Sequence, residues 1–107
     1  MTEKTFLLVL ASPGVPETIV RCDAVSFVVP DGVKGKNGGS IGIHPGHTKA
    51  MMALDHGELT AKMEGQEILS CTTSGGFAMV ESQRVTILSD GLQIVRMDNS
   101  FCVADVQ

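Results

Sequence analysis

Strict alternation of apolar and polar residues is the feature that most constrains the fold of this chain. It is clearest over residues 58–64, which read Glu-Leu-Thr-Ala-Lys-Met-Glu. A period of two places one set of side chains in a core and the other in water, as in a half-buried β-strand. Gly65-Gln66 interrupts the pattern and residues 67–73 resume it, so these two segments predict a hairpin.

Short segments of the same kind recur along the whole chain. Val25, Phe27 and Val29 fall on one face of the segment 23–29, and polar turns such as 81–83 separate it from later segments. We count about ten strands or strand fragments, at the spacing of 8–12 residues that is typical of β-sandwiches and barrels. The stretch 48–55 permits either a helix of at most two turns or a strand.

The C-terminal residues also favour β-structure. Residues 94–95 and 101–103 are β-branched, aromatic or otherwise apolar, and a polar turn at 98–100 separates them. We therefore predict an all-β chain with a short β-like C-terminal tail.

Size, charge and cysteine content restrict the function classes. A chain of 107 residues forms one domain. Its net charge of −4 and its lack of Trp and Tyr argue against nucleic-acid binding by phosphate neutralisation or base stacking. Cys22, Cys71 and Cys102 form no CxxC pair, which argues against a disulfide scaffold or a zinc ribbon and fits a reduced, cytosolic protein. The apolar run 6–11 is too short for a signal peptide, and no stretch reaches the length of a membrane span.

A glycine-rich loop at 31–39 carries Lys34 and Lys36 and invites comparison with phosphate-binding loops. It lacks the G-x-x-x-x-G-K-[ST] spacing and no helix follows it, so we interpret it as a solvated hairpin loop or an interaction loop.

His44 and His47 flank a Pro45-Gly46 turn, and His56 is near in sequence. No carboxylate or cysteine completes a metal-ligand set at the usual spacing, so we predict a sharp corner here and no metal site.

Ser74-Gly75-Gly76 lies inside otherwise strand-like sequence. It lacks the G-x-S-x-G nucleophile elbow, and paired glycines within a strand predict a bulge or a close approach by another backbone. We predict no catalytic residue and no cofactor. The residues alone indicate a small all-β binding or scaffold module.

Four blocks occur in order along the chain. They are Ser-Ile-Gly-Ile-His-Pro-Gly-His at 40–47, Ala-Leu-Asp-His-Gly-Glu-Leu at 53–59, Thr-Ser-Gly-Gly-Phe-Ala-Met-Val at 73–80 and Val-Thr-Ile-Leu-Ser-Asp at 85–90. Together they resemble the N-terminal β-sandwich of the epsilon subunit of F-type ATP synthase, the counterpart of the mitochondrial delta subunit. The resemblance covers roughly residues 5–90.

The resemblance implies a flattened, ten-stranded β-sandwich over residues 1–90. It also implies a non-catalytic rotor subunit of the central stalk, which links the gamma subunit to the membrane c-ring and so couples ion translocation to ATP synthesis and hydrolysis. Such a subunit meets the catalytic head through gamma, and it is peripheral on the cytoplasmic side, touching the membrane only through the complex. The alternative is a free-standing β-sandwich that binds another protein outside any ATPase.

The same resemblance implies a rotor interface, toward gamma or the c-ring. Its expected members are Lys34, Lys36, Ser40, Gly42, Pro45, Gly46, His47, Met52, Ser74, Gly75 and Gly76. Met52 and Ser74 match positions near gamma. Ser40 stands where the family often has an acidic residue in the loop that faces the ring, and Lys34 and Lys36 lie in that loop.

The family usually continues into two C-terminal helices that inhibit hydrolysis and in some members bind ATP. Residues 91–107 are too few for two helices of ordinary length. We therefore expect a short extension over 91–107, with no helical hairpin and no ATP site.

Overall fold

The computed structural model describes residues 5–31, 37–46 and 49–103, with only the backbone described for Asp31 and for 37–40. This part of the chain forms eight strands and a final 3₁₀ turn. They are β1 (Phe6–Ser12), β2 (Val15–Cys22), β3 (Ala24–Asp31), β4 (Asn37–Ile43), β5 (Ala50–Met63), β6 (Gln66–Glu81), β7 (Arg84–Leu88), β8 (Gln93–Met97) and the turn Asn99–Phe101. The all-β prediction is confirmed. Within the described ranges no helix is long and apolar enough to cross a lipid bilayer.

The strands form one sheet in the order β2-β1-β7-β6-β5-β3-β4, with β8 paired to β6 beside this path. β1 and β7 run parallel, and the other pairs are antiparallel. β5 and β6 are 14 and 16 residues long and stay paired from Ala50 opposite Val80 to Met63 opposite Gln66.

These two long strands divide the sheet into two layers. The first half of β5 and the second half of β6 join β7, β1 and β2, which we call layer one. The other halves join β3, β4 and β8, which we call layer two. Each layer then has five strands. The ten strand segments expected from the sequence thus correspond to eight continuous strands, because β5 and β6 serve in both layers.

Glycines lie where the long strands pass between layers. Because these glycines interrupt the alternation of apolar and polar residues, the sequence predicts two short strands in place of each long one. Gly75 and Gly76 have φ of 100° and 129°. A Cβ on Gly76 would overlap the carbonyl oxygen of Leu88 and lie 3.0 Å from the Cα of Ser89. The predicted close approach of another backbone is therefore confirmed.

The core between the layers is built from alternate residues of both. Val25, Phe27 and Val29 are buried together, as their alternation predicts, and Phe6 and Leu59 are among the largest fully buried side chains. Removing each such side chain from water contributes roughly 1.5–3 kcal/mol, so the alternating pattern is the main source of stability.

The β5–β6 hairpin closes through Glu64 and Gly65, with φ of 52° and 83°. Two consecutive positive φ values are typical of the type I′ turn, whose twist matches that of the flanking strands. The N–H of Glu64 also donates to Oδ2 of Asp23 over 2.9 Å. The hairpin is confirmed, with its turn one residue earlier than the predicted break.

The residues after 90 add to the same core. Leu92, Ile94 and Met97 pack against it, β8 pairs with β6, and the N–H of Val103 donates to the carbonyl of Ile19 in β2 over 2.7 Å. The β-like tail is confirmed. The division of the chain at residue 90 stays a prediction.

Candidate interaction surface

The outer side of layer one is apolar where alternation would place polar residues. Phe77 is 55% exposed, Leu88 42% and Met51 66%. Phe77 lies directly opposite both Leu88 in β7 and Ala53 in β5, and Met79 lies opposite Met51 one row away. We call Met51, Ala53, Phe77, Met79 and Leu88 the apolar face. A contiguous row of exposed apolar side chains on adjacent strands marks an interaction surface.

The outer side of layer two differs in character. Ser26 lies opposite both Thr60 and Gly42, and Ser70 lies opposite Thr60 and Arg96. This row carries hydroxyl groups on β3, β5 and β6 and a guanidinium on β8, and Gly42 ends it on β4. The apolar face is therefore a property of one layer and not of the sandwich as a whole.

A groove of about 510 Å³ adjoins the apolar face. Its walls come from the β1–β2 turn, from the middle of β6 and from the residues that follow β7. Val15, Ser74, Phe77, Ser89 and Asp90 are among its lining residues. A second depression of about 340 Å³ shares Val15 with it and extends to β8, so the concave surface continues around the β1–β2 turn.

Close packing of glycines shapes this groove. Gly76 lies against the backbone of Leu88, and a Cβ on Gly91 would lie 2.6 Å from Oγ of Ser74. Ser12 Oγ donates to the carbonyl of Asp90 over 3.3 Å and so ties the β1–β2 turn to the segment after β7. Backbone contacts and short side chains thus hold the walls of the groove together.

One buried polar group, on a residue that lines the groove, has no partner in the described part of the chain. Ser89 is only 4% exposed, and its Oγ is the one buried side-chain oxygen or nitrogen in the described part of the chain that lacks a hydrogen bond. The backbone N–H of Ser89 is satisfied by the carbonyl of Ala11 at 3.1 Å. A buried hydroxyl without a partner costs about 1–3 kcal/mol.

The predicted interface residues fall into separate places. Ser74, Gly75 and Gly76 meet in the groove. Gly42 lies on the outer side of layer two, at the β4 end of the polar row. The expected Pro45-Gly46 corner is present after β4, where Gly46 has a φ of 83°.

Met52 lies half-buried against the core, because alternation along β5 turns its side chain inward. The exposed methionine beside it is Met51, at an outward position of the same strand. The part of Met52 in an interface stays a prediction, and the structure does not bring its side chain to the apolar face.

Other expected residues cannot be placed in this way. Lys34, Lys36 and His47 lie outside the described residues. Ser40 is described by its backbone alone and lies in β4, opposite Val28 of β3. The strand β4 is seven residues long, so its two ends lie about 20 Å apart at the usual rise. The lysine loop precedes one end and the Pro45-Gly46 corner follows the other.

Sequence reasoning missed Met51, Phe77, Leu88 and Ser89 as surface or groove residues. The available signal was a mismatch between the polarity of each residue and the face of the strand on which it lies. Phe77 and Leu88 are apolar at outward positions, and Ser89 is polar at an inward one.

Nucleophilic and metal chemistry find no support in the described part of the chain. Burial raises the pKa of the Cys22 thiol to about 12 and that of Cys71 to about 11, so neither is a thiolate at neutral pH. No group of three or more His, Cys, Asp or Glu side chains that could hold a metal ion occurs among residues 5–31, 37–46 and 49–103.

Comparison with known proteins gives a consistent result. Residues 15–95 match the family described as ATP synthase, Delta/Epsilon chain, beta-sandwich domain. An ATP synthase epsilon chain of Dehalococcoides mccartyi is 39% identical over 77 residues, covering 72% of this chain and 51% of that relative. The epsilon chain of Desulforamulus reducens is 33% identical over 75 residues, covering 70% and 53%. The chain thus spans about half the length of these relatives.

The fold is shared with a chain of the mitochondrial ATP synthase of Euglena gracilis, from a cryo-EM structure of its OSCP/F1/c-ring assembly. The TM-score is 0.65 at 21% identity, and the match covers 88% of this chain and 56% of the other. At this identity the likeness concerns the fold alone.

Proposed function

Because the chain belongs to the delta/epsilon chain family of ATP synthase, which it matches through the β-sandwich domain, we propose that it is a central-stalk subunit of an F-type ATP synthase. In this role it is not itself catalytic. It links the gamma subunit to the membrane c-ring and so couples ion translocation to ATP synthesis and hydrolysis. It lies peripherally on the cytoplasmic side and meets the membrane only through the complex.

The observation that carries the binding role is the exposed row of Leu88, Phe77 and Ala53 beside the groove. Exposed apolar area is worth about 25 cal/mol per Å² when a partner covers it. We assign the apolar face and the groove to gamma, which agrees with the expected gamma-facing position of Ser74 and with the two glycines that follow it. Aromatic side chains such as Phe77 are typical anchors of protein interfaces.

We assign the opposite contact, with the c-ring, to the β3–β4 hairpin. β4 is the last strand of the sheet, so the hairpin lies at an edge, far along the strand order from the β7–β6 part of the apolar face. Its loop carries Lys34 and Lys36, whose ammonium groups suit an acidic or carbonyl-rich ring surface. Exposed ion pairs contribute only about 0–1 kcal/mol each. These lysines therefore determine how the subunit is positioned on the ring more than how tightly it binds.

A coupling subunit has to keep its contact with gamma and its contact with the c-ring in a fixed relative position. The long strands provide the rigid connection between them. β5 and β6 run through both layers and remain paired along their length. A force applied at the apolar face passes to β3 through the same hydrogen-bonded ladder, since β3 pairs with the second half of β5. Movement of one layer against the other would break this ladder.

Binding of purified components tests the proposal. The full chain is titrated with the gamma subunit from the same source, and then with gamma together with the c-ring. We expect a stable complex with gamma and a ternary complex with the ring. Replacing Lys34 and Lys36 with Glu should weaken ring attachment and leave gamma binding unchanged. A folded monomer that binds neither component would favour the free-standing binding module and contradict the proposal.

A further inference from the structure

A small depression on the outer side of layer two is lined by groups that donate hydrogen bonds. It has a volume of about 180 Å³ and lies over β3, between β4 and β5. Ser26 and Thr60 contribute hydroxyl groups, Lys62 contributes an ammonium group and His44 an imidazole. No Asp or Glu is among its described lining residues. In a chain with a net charge of −4, this depression is a place where donors gather without a carboxylate.

The strand register explains how the depression forms. Ala24 and Ser26 alternate with the buried Val25 on β3, so their short side chains form the floor on the outer side. Lys62 of β5 lies directly opposite Ala24, and Thr60 lies opposite Ser26. Side chains at opposite positions of paired strands are close neighbours, so the ammonium stem and the two hydroxyl groups border one space.

The other wall comes from the end of β4. Gly42 lies opposite Ser26, and a Cβ on Gly42 would be 3.7 Å from Cε1 of His44, so the imidazole ring lies beside this glycine. Neighbouring strands are about 4.8 Å apart, which separates β4 from β5 by about 10 Å across β3. The space between His44 and Lys62 therefore suits one small ion with hydrogen bonds on both sides.

The donors are available for such an ion. Glu67 lies opposite Lys62 in the β5–β6 ladder, but no ion pair joins the two in the described part of the chain. Glu58, on the same face of β5, accepts a hydrogen bond from Oγ of Ser70 over 3.0 Å. Neither hydroxyl of the depression has a hydrogen bond within residues 5–31, 37–46 and 49–103. An ion from solution thus displaces no internal contact of Lys62 or of these hydroxyls.

We propose that this depression binds a phosphate group, supplied by inorganic phosphate or by a small phosphate monoester. Lys binds phosphate as a point charge, whereas a planar carboxylate is matched best by the fork of Arg, and no Arg is among the described lining residues. The volume is below the roughly 300–1,000 Å³ of sites for larger ligands, so the depression holds the phosphate group and little else. Such binding depends on neither gamma nor the c-ring.

Titration of the full, isotope-labelled chain with sodium phosphate, followed by NMR at constant ionic strength, tests the proposal. We expect saturable shifts of the amide signals of Ser26, Thr60 and Lys62, with a Kd on the order of 1 mM or lower. Sodium chloride and sodium acetate should not produce these shifts. A parallel titration with glycerol 3-phosphate distinguishes the two sources, because the ligand that binds more tightly shows whether the site prefers the free ion or a monoester.

Four substitutions test the geometry. Lys62→Gln removes the ammonium group and should raise Kd for phosphate about tenfold or more, and Thr60→Val removes a hydroxyl at nearly constant shape and should raise it about three- to fivefold. Glu67→Gln removes the carboxylate opposite Lys62 and should lower Kd about twofold. Lys49→Gln is the matched control, since it removes the charge of an exposed lysine outside the depression, and should leave Kd unchanged.

Shifts that grow linearly with phosphate concentration, or that chloride produces equally, would overturn the proposal. Equal Kd values for Lys62→Gln and Lys49→Gln would do the same, because the effect would then come from net charge alone. Thermal unfolding of each sample verifies that the variants are folded. Lys62 is exposed, so its replacement should hardly change the unfolding temperature, and this variant decides the matter even if Thr60→Val fails to fold.

Discussion

Gly76 and Leu88 lie so close together that a Cβ on the glycine would overlap the carbonyl oxygen of the leucine. This contact joins the middle of β6 to the end of β7, beside the groove and the apolar face. It makes the shape of the proposed gamma-binding surface dependent on one residue without a side chain.

Gly76→Ala should therefore destabilise the chain strongly. The substitution adds an overlap with backbone atoms to the strain of a φ of 129°, and we expect a loss of about 3 kcal/mol or more in the free energy of unfolding. Gly65→Ala is the control, because Gly65 has a φ of 83° with open space around it. It should cost only about 1–2 kcal/mol. Equal losses in urea denaturation would show that the contact with Leu88 does not matter.

A second close approach joins β5 to β3 at Gly57. A Cβ there would lie 2.5 Å from Cγ2 of Val28. Gly57→Ala should lower the free energy of unfolding by about 1–3 kcal/mol through overpacking. Val28→Ala in the same chain should restore much of that loss, with a coupling of about 1–2 kcal/mol in the double-mutant cycle. Additive effects of the two substitutions would show that the loss of stability does not come from overlap with Val28.

The apolar face should matter more for binding than for folding. Phe77 and Leu88 are about half exposed, so replacing both with Ser should lower the free energy of unfolding by only about 1–3 kcal/mol. The affinity for gamma should fall at least tenfold. Val95→Ser is the matched control, since Val95 is 67% exposed but lies on β8, outside this face. A similar loss of affinity in the control would deny the face a specific role.

The buried thiols predict how stability depends on pH. Burial raises the pKa of Cys22 to about 12 and that of Cys71 to about 11, from an ordinary value of 9.0. The folded chain holds these protons more tightly than the unfolded chain, so the thiol contribution is complete below pH 9 and is lost as pH rises toward 11–12. At pH 10 we expect a loss of about 1 kcal/mol for each thiol.

Denaturation at pH 8 and at pH 10 measures this loss. The double variant Cys22→Ala, Cys71→Ala should be less stable at pH 8 but should lose less on going to pH 10. In native protein at pH 8, a thiol reagent should label Cys102 well before the two buried cysteines. Rapid labelling of Cys71 would contradict its burial.

The sequence predicts the fold well where the alternation of apolar and polar residues determines which face of a strand is buried. The alternation over 58–64 gives the strand and its buried face, and the hairpin after it follows from the glycine at its turn. Continuity of strands is harder to predict, because Gly57 and Gly75-Gly76 break the pattern while the ladder continues through them. Close approaches between distant backbones leave no periodic signal.

The candidate surface was predicted only in part, for a related reason. Ser74, Gly75 and Gly76 were identified through the resemblance, and they lie together in the groove. Phe77 and Leu88 were not, because an apolar residue at an outward position looks the same as a core residue until the register is known. Ser89 needed the three-dimensional structure, since only there is its hydroxyl seen to lack a partner.

The most direct test of the central claim is affinity purification of the tagged chain from gently solubilised membranes of its own host. The account predicts that gamma, the catalytic head and the c-ring are recovered together with it, and that the variant with Ser at positions 77 and 88 recovers much less of them. Recovery of the wild-type chain alone, as a folded soluble protein, would contradict its assignment as a rotor subunit.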